Sequence, residues 1–207
     1  MPATLTAGRV IAGTARGIRL VAPEAGTRPL GDRLKQSLFA TLEPRLRGGS
    51  FLDLFAGSGG AGIEALSRGA ATATFVELAR PAIEAIERNL AASHLGGPAA
   101  IVIRADALEW LTVERSTGRP AGRLAGAPFD VVLVDPPYDH PELLDGALTR
   151  LAAGGPGGFV AKDGVVVAKH ASRVAVRAQF GLLASERERR FGESMLTLYG
   201  WTGAEAG

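Results

Sequence analysis

The tetrapeptide Asp135-Pro136-Pro137-Tyr138 can carry out a definite kind of chemistry. Two consecutive prolines stiffen the chain and remove two N–H donors, so the local backbone presents carbonyls. A carboxylate from Asp135 and a proline carbonyl are both acceptors, and together they match the two hydrogens of an exocyclic NH2. Holding those hydrogens turns the nitrogen lone pair toward an incoming electrophile, which is a gain in orientation rather than in acid–base power. Tyr138 adds a ring on which a base turned out of its stack can lie. The bland alternative is a proline-stiffened turn after a buried strand.

A second constellation lies upstream. Asp53-Leu54-Phe55-Ala56-Gly57-Ser58-Gly59-Gly60-Ala61-Gly62 holds G-x-G-x-x-G between an apolar strand pattern and a helical one. Small residues there let the backbone approach a ligand, and the helix that follows offers free N–H groups. Glu77 ends the next strand, 20 residues after Gly57, where a carboxylate can accept both hydroxyls of a ribose. An adenosine-containing cofactor follows, and both NAD and S-adenosylmethionine satisfy this half of the argument. Asp53 separates them. A dinucleotide site puts a pyrophosphate at this turn and has no use for an adjacent anion, whereas S-adenosylmethionine carries a sulfonium and an ammonium. Asp53 could also serve only to hydrogen-bond loop amides, since a buried carboxylate needs partners. Asp106, just past the third strand of this pattern, could accept from an adenine amine or simply cap a helix.

The elements that must position these residues alternate in period. The apolar runs Phe51–Phe55, Thr72–Val76, Ala99–Ile103, Phe129–Val134 and Val165–Ala168 read as strands. Between them lie helical patterns through Ile63 and Leu66, from Pro81 through Leu90, at Leu108–Leu111 and from Pro141 through Leu151. Alternation of this kind predicts a parallel, doubly wound α/β sheet, whose ligands sit at the carboxyl ends of the strands. Arg173–Ser185 and Met195–Trp201 have no helix between them and predict a closing antiparallel hairpin. Before the main domain, Arg9–Gly13 and Gly17–Val21 predict a small hairpin. A helix starts at Asp32 as N-cap and stops near Pro44. Residues 112–128 read as a loop.

Composition sets limits. The 207 residues, 46% hydrophobic and 21% charged, are long enough and apolar enough for one domain with an appendage. The absence of cysteine excludes a disulfide scaffold, a thiolate metal site and a Cys nucleophile. His94, His140 and His170 lack metal-ligand spacing, so no metal is expected. No apolar run is long enough to cross a bilayer and the first residues lack a signal-peptide pattern, so a cytoplasmic address is expected. Residues 1–50 carry eight basic and three acidic side chains, a net of +5, although the whole chain is only +2. An excess of that kind ahead of a neutral-to-acidic body is what a polyanion-binding arm looks like, and a solvated basic surface is its bland counterpart. Only three of the 23 cations are lysine.

Taken in order, these motifs resemble a known family. Asp135–Tyr138 after the fourth strand, with Asp53–Gly62 and Glu77 upstream, resembles the class I S-adenosylmethionine-dependent methyltransferases that modify amino nitrogens. Arg9-Val10-Ile11-Ala12-Gly13 with Arg16-Gly17, then Arg28-Pro29, Asp32-Arg33 and Leu38-Phe39, narrows the resemblance to the RsmD-type 16S rRNA guanine-N2 methyltransferases. Phe191-Gly192-Glu193 and Tyr199 follow in that family's order, while Leu30-Gly31 stand where it usually has threonines.

The resemblance implies a Rossmann-like, seven-stranded, mostly parallel sheet with helices on both faces and an N-terminal hairpin and helix. It divides the chain into a basic, RNA-contacting segment 1–48 and a methyltransferase domain 49–207. S-adenosylmethionine would be held by Asp53, Ala56, Gly57, Ser58, Gly59, Glu77, Leu78, Asp106 and Ala107. Asp135, Pro136, Pro137 and Tyr138 would act on the amine, and Arg9, Arg16, Arg19, Arg28 and Arg33 would meet RNA. The partner would be 16S rRNA or an assembling small ribosomal subunit, met by a monomer. Three rivals stand beside this reading: an amino-methyltransferase of adenine N6 or cytosine N4 in another RNA or DNA, a nicotinamide dehydrogenase, and a non-catalytic RNA-binding protein.

Overall fold

The computed structural model describes residues 6–23, 30–116 and 128–203, with the side chains of 113–116 excepted. The chain forms two compact units, Met1–Asp106 and Ala107–Gly207.

In the first unit, strands β1 (Thr6–Arg9) and β2 (Arg19–Val21) pair antiparallel, with Arg9 opposite Arg19. Helix α1 (Asp32–Leu46) follows, burying Leu34, Leu38, Phe39, Leu42 and Leu46. Strand β3 (Ser50–Asp53), helix α2 (Gly60–Ser67), strand β4 (Thr72–Glu77), helix α3 (Arg80–Ser93) and strand β5 (Ala100–Arg104) then alternate. The three strands lie parallel in the order β5-β4-β3, with Asp53 beside Phe75 and Glu77 beside Arg104. Parallel neighbours need a crossover, and α2 and α3 supply it. This register brings the ends of β3 and β4, and hence Asp53 and Glu77, to one edge.

The small hairpin is bound into this unit by buried polar groups. Glu64 of α2 is fully buried, and its carboxylate accepts the amides of Ile11 at 2.7 Å and Ala12 at 3.1 Å and Nε of Arg68 at 2.7 Å. Ser67 Oγ accepts from Ala15 N and donates to the Ala12 carbonyl. Lys35 Nζ donates to the Arg9 carbonyl, and Asn89 exchanges two hydrogen bonds with the backbone of Val21. A Cβ on Gly13 would stand 1.7 Å from the Ser67 carbonyl oxygen, so only glycine permits this approach.

The same bonds explain where strand pairing departs from expectation. Regular strand pairing ends at Arg9, and the last backbone bonds between the arms are at Val10 rather than Gly13, because the amides of Ile11 and Ala12 turn to Glu64. Asp32 does not cap α1. Gly31 occupies the cap position, and Asp32 instead accepts from Arg9 Nε at 3.0 Å. Nor does Pro44 end the helix, which continues to Leu46. A proline removes one donor and crowds the carbonyl four residues back, and here that carbonyl belongs to exposed Ala40, near the helix end and within reach of water.

In the second unit, helix α4 (Ala107–Ser116) precedes strand β6 (Phe129–Val134), helix α5 (Pro141–Ala153) and strand β7 (Val160–Ala171). Strand β8 (Gln179–Phe180), strand β9 (Leu183–Phe191) and strand β10 (Ser194–Trp201) complete it. β6 is parallel to β7, and β7, β10, β9 and β8 follow antiparallel to one another in that order.

Three expectations need correction here. The closing hairpin is β9–β10, and Arg173–Ser185 contributes to strands only at Gln179–Phe180 and from Leu183. The Ser185–Arg190 stretch hid β9, because its charges give no apolar alternation although its backbone pairs with β10 along its length. Among the described residues, the two-residue β8, paired with β9 in the second unit, is a strand beyond those expected. The expected loop 112–128 begins as the last turns of α4, and 117–127 lie outside the described residues.

Candidate active site

In the first unit, the end of β3 and the glycine turn form one cluster of candidate residues. Gly57 (φ 54°) and Gly59 (φ 77°) take left-handed conformations that residues with a Cβ rarely adopt. A Cβ on Gly62 would lie 2.2 Å from the Phe75 ring, so the third glycine lets α2 press onto β4. Asp53 is 3% exposed, and its Oδ2 accepts the Gly62 amide at 3.0 Å. Asp53 therefore does bind a loop amide.

Glu77 is fixed more completely. Oε2 accepts the Gly57 amide at 2.7 Å, and Oε1 accepts those of Leu78 at 2.9 Å and Ala79 at 2.8 Å. The carboxylate is pinned at the glycine turn, and Leu78 beside it is 58% exposed, uncommon for a large apolar side chain. The Ala56 amide donates to the Val76 carbonyl, joining the turn to β4, and Ser58 is buried. Asp106 is half-buried at the end of this unit, and Ala107 is the buried first residue of α4.

This cluster fits a cationic, ribose-bearing donor. Two fixed carboxylates and an exposed apolar side chain suit an ammonium, a diol and an adenine face, whereas a pyrophosphate would meet anions.

In the second unit, the tetrapeptide follows β6 directly. Pro136 is buried and Pro137 exposed, and the Pro137 carbonyl accepts the His140 amide, which leaves the Pro136 carbonyl as the proline acceptor for a substrate. Tyr138 Oη shares a hydrogen bond of 2.8 Å with Ser194 Oγ. Asp135 Oδ1 accepts from Lys169 Nζ at 2.7 Å, and the same ammonium stands 4.6 Å from the centre of the Tyr138 ring. Burial pushes the Asp135 carboxyl above its ordinary pKa, and Lys169 opposes the rise. Burial pulls the Lys169 ammonium down, but Asp135 and Tyr138 outweigh it and hold its pKa above the usual value.

Neither Lys169 nor Ser194 stands out by motif or spacing. A cation inside the run Val165–Ala171 is the one available signal, since a charge in a buried strand needs a partner.

Among the arginines assigned to RNA, Arg16, Arg19 and Arg33 are exposed, and Arg9 is exposed but paired with Asp32. Arg28 lies outside the described residues. Among those residues no cluster of three or more potential metal ligands occurs, and no helix is long and apolar enough to cross a membrane.

Comparison with known proteins decides the family. The model of the family described as "Conserved hypothetical protein 95" matches residues 8–200. This chain belongs to that family. YlbH of Bacillus subtilis, provisionally named an rRNA methyltransferase, is 37% identical over 192 residues, covering 92% of this chain and 97% of its own. Ribosomal RNA small subunit methyltransferase D of Haemophilus influenzae is 39% identical over 144 residues, covering 69% of each chain. Among solved structures, yhhF from Escherichia coli, provisionally described as a methyltransferase, superposes with a TM-score of 0.73 at 32% identity, covering 93% of this chain and 97% of its own. The fold of this family member is thus the class I methyltransferase fold, and the resemblance carried by the motifs holds.

Proposed function

We propose that this chain transfers a methyl group from S-adenosylmethionine to the exocyclic N2 of a guanine in small-subunit rRNA. The observation that carries the reading is the Asp135–Tyr138 segment, where Lys169 holds a carboxylate and Ser194 the hydroxyl of a ring on either side of a proline carbonyl. The relatives named for small-subunit rRNA methylation support the choice of substrate.

Bound, the cofactor supplies a methyl group on a sulfonium, which loses its charge on transfer. The protein therefore needs alignment and exclusion of water more than stabilisation of new charge. Asp53 and the backbone of Ala56–Gly59 hold the methionyl part, Glu77 the ribose, and Leu78, Asp106 and Ala107 the adenine. Asp135 and the Pro136 carbonyl each accept one amine hydrogen, one of which leaves as a proton to solvent once the nitrogen carries the methyl group. Pro137 stiffens the turn, and Tyr138 stacks on the base with the face that Lys169 leaves open. Residues 1–48 contact RNA through Arg9, Arg16, Arg19, Arg28 and Arg33, and 49–207 are the methyltransferase domain. The protein acts as a monomer in the cytoplasm, on 16S rRNA or an assembling subunit.

Nucleoside mass spectrometry of rRNA from cells lacking the gene tests this. N2-methylguanosine should fall in the small subunit and return on complementation. Loss of N6-methyladenosine or N4-methylcytidine instead would overturn the choice of base.

A further inference from the structure

We propose that Lys169 is a positioning residue for this reaction: its ammonium holds the Asp135 carboxylate and the Tyr138 ring in the arrangement that receives the target amine. The proposal rests on the amine-methylation reading above. Strand register makes the juxtaposition. Val134, the last residue of β6, pairs with Ala168 of β7, so the next residue on each strand brings Asp135 beside Lys169. The Nζ–Oδ1 distance is 2.7 Å, and Nζ lies 4.6 Å from the centre of the Tyr138 ring. One ammonium thus meets two of the three groups assigned to the substrate, the carboxylate and the ring.

Stability alone is a poor reason for such a group. Lys169 is 7% exposed, and a buried ion pair is often no more stabilising than apolar residues of the same volume. The choice of cation is also specific. Arginine supplies 20 of the 23 basic side chains, yet a lysine stands here. A compact point charge can sit over a ring and still donate to one carboxylate oxygen, where a guanidinium fork would engage both. With Oδ1 taken by Lys169, Oδ2 is the oxygen assigned to the amine hydrogen. An ionised Asp135 only accepts, whereas a protonated one would present a donor to a donor. Among the described residues, the titratable groups facing the pair are its own two members and the Tyr138 phenol. His170, next on β7, turns instead to Thr197 Oγ1 at 3.0 Å.

The test is the pH dependence of kcat with full-length protein and a small-subunit rRNA substrate, for wild type, Lys169→Met and Lys169→Arg. S-adenosylmethionine binding by calorimetry serves as the folding control. Lys169→Met should lower kcat at pH 7 by about a hundredfold, the effect of losing a charged partner at a reacting group. It should move the acidic limb of the profile to higher pH, so that activity recovers as pH rises, while donor affinity stays at the wild-type value. Lys169→Arg should keep the wild-type limb. Should Lys169→Met not fold, Lys169→Gln carries the same readout.

A neutral variant with wild-type kcat and an unmoved limb overturns the proposal, as does a limb that moves equally in Lys169→Arg. In the first of these cases the methylation reading still stands if Asp135→Ala is impaired. A wild-type chain inactive on rRNA, whose behaviour Asp135→Ala leaves unchanged, refutes the reading itself.

Discussion

Replacing Glu64 by glutamine should loosen the hairpin's hold on α2, and the structure sets the size of the effect. The carboxylate serves three donors: Oε2 accepts from Ile11, and Oε1 accepts from Ala12 and Arg68. A glutamine has one acceptor and one donor end. Its better orientation keeps the oxygen toward Ala12 and Arg68 and points NH2 at the Ile11 N–H. The bond to Ile11 disappears and leaves its part-buried amide facing a donor, an unsatisfied group that costs about 1–3 kcal/mol. The Arg68 pair also weakens, because its side chain is only 10% exposed and no longer meets a full charge. Together these approach the loss of about 3–5 kcal/mol seen when a buried pair is broken from one side. Against a typical total of about 5–15 kcal/mol, that is a large fraction. Urea unfolding at pH 7 measures it, and hydrogen exchange should show the Ile11 and Ala12 amides losing protection first. A change below about 1 kcal/mol, with those amides still protected, would refute the idea that Glu64 anchors the hairpin. By the same logic, removing residues 1–22 strips partners from Glu64, Ser67, Lys35 and Asn89 together, so truncation would confound RNA binding with folding.

Four further outcomes are expected. Glu77→Ala should weaken S-adenosylmethionine binding at least tenfold by calorimetry, from about 1.5 kcal/mol for the charge-assisted bond it removes, and unchanged binding would exclude Glu77 from the donor site. Asp135→Ala should lower kcat by about a hundredfold and leave donor affinity unchanged, as expected for a group that meets the amine alone. Charge reversal at Arg16, Arg19 and Arg33 should make the salt dependence of RNA affinity shallower, by about 0.7–0.9 for each phosphate no longer neutralised, and an unmoved slope would make these side chains merely solvated. Burial pushes the Tyr199 phenol up to about 12, from an ordinary 10.0, while its hydroxyl donates to the Arg177 carbonyl. Between those values the unfolded chain releases a proton that the folded chain keeps, so stability is full below pH 10 and falls as pH rises toward 12. Urea titrations of wild type and Tyr199→Phe across that range should differ in slope, and parallel curves would contradict the assignment.

What the sequence disclosed was what neighbours in sequence can disclose. The glycine turn and Asp135–Tyr138 each announce themselves within one strand–loop unit, Glu77 does so by a fixed offset across α2 and β4, and the structure places them at strand ends as the alternation required. Glu64, Lys169 and Ser194 gave no comparable signal. Their partners lie 53, 34 and 56 residues away, and only register and helix packing bring them together. Strand β9 stayed hidden for a related reason, since backbone pairing with β10 holds it although its side chains are largely charged. Asp32 misled because an acidic residue before an apolar period suits both a cap and an ion pair, and Arg9 settled which.

The burial of two of the three lysines has a practical corollary. Lys35 and Lys169 are 1% and 7% exposed, while Lys162 is exposed near the start of β7. An amine-reactive dye or acylating reagent, applied gently above the pH at which the α-amino group also reacts, should therefore mark Lys162 among the lysines, together with that α-amino group, and spare the other two. The chain carries a built-in attachment point on its second unit, well suited to fluorescence or surface immobilisation without added cysteines. Slow acylation of Lys169 under longer exposure would act as a clock for how often the strand around it opens, read peptide by peptide.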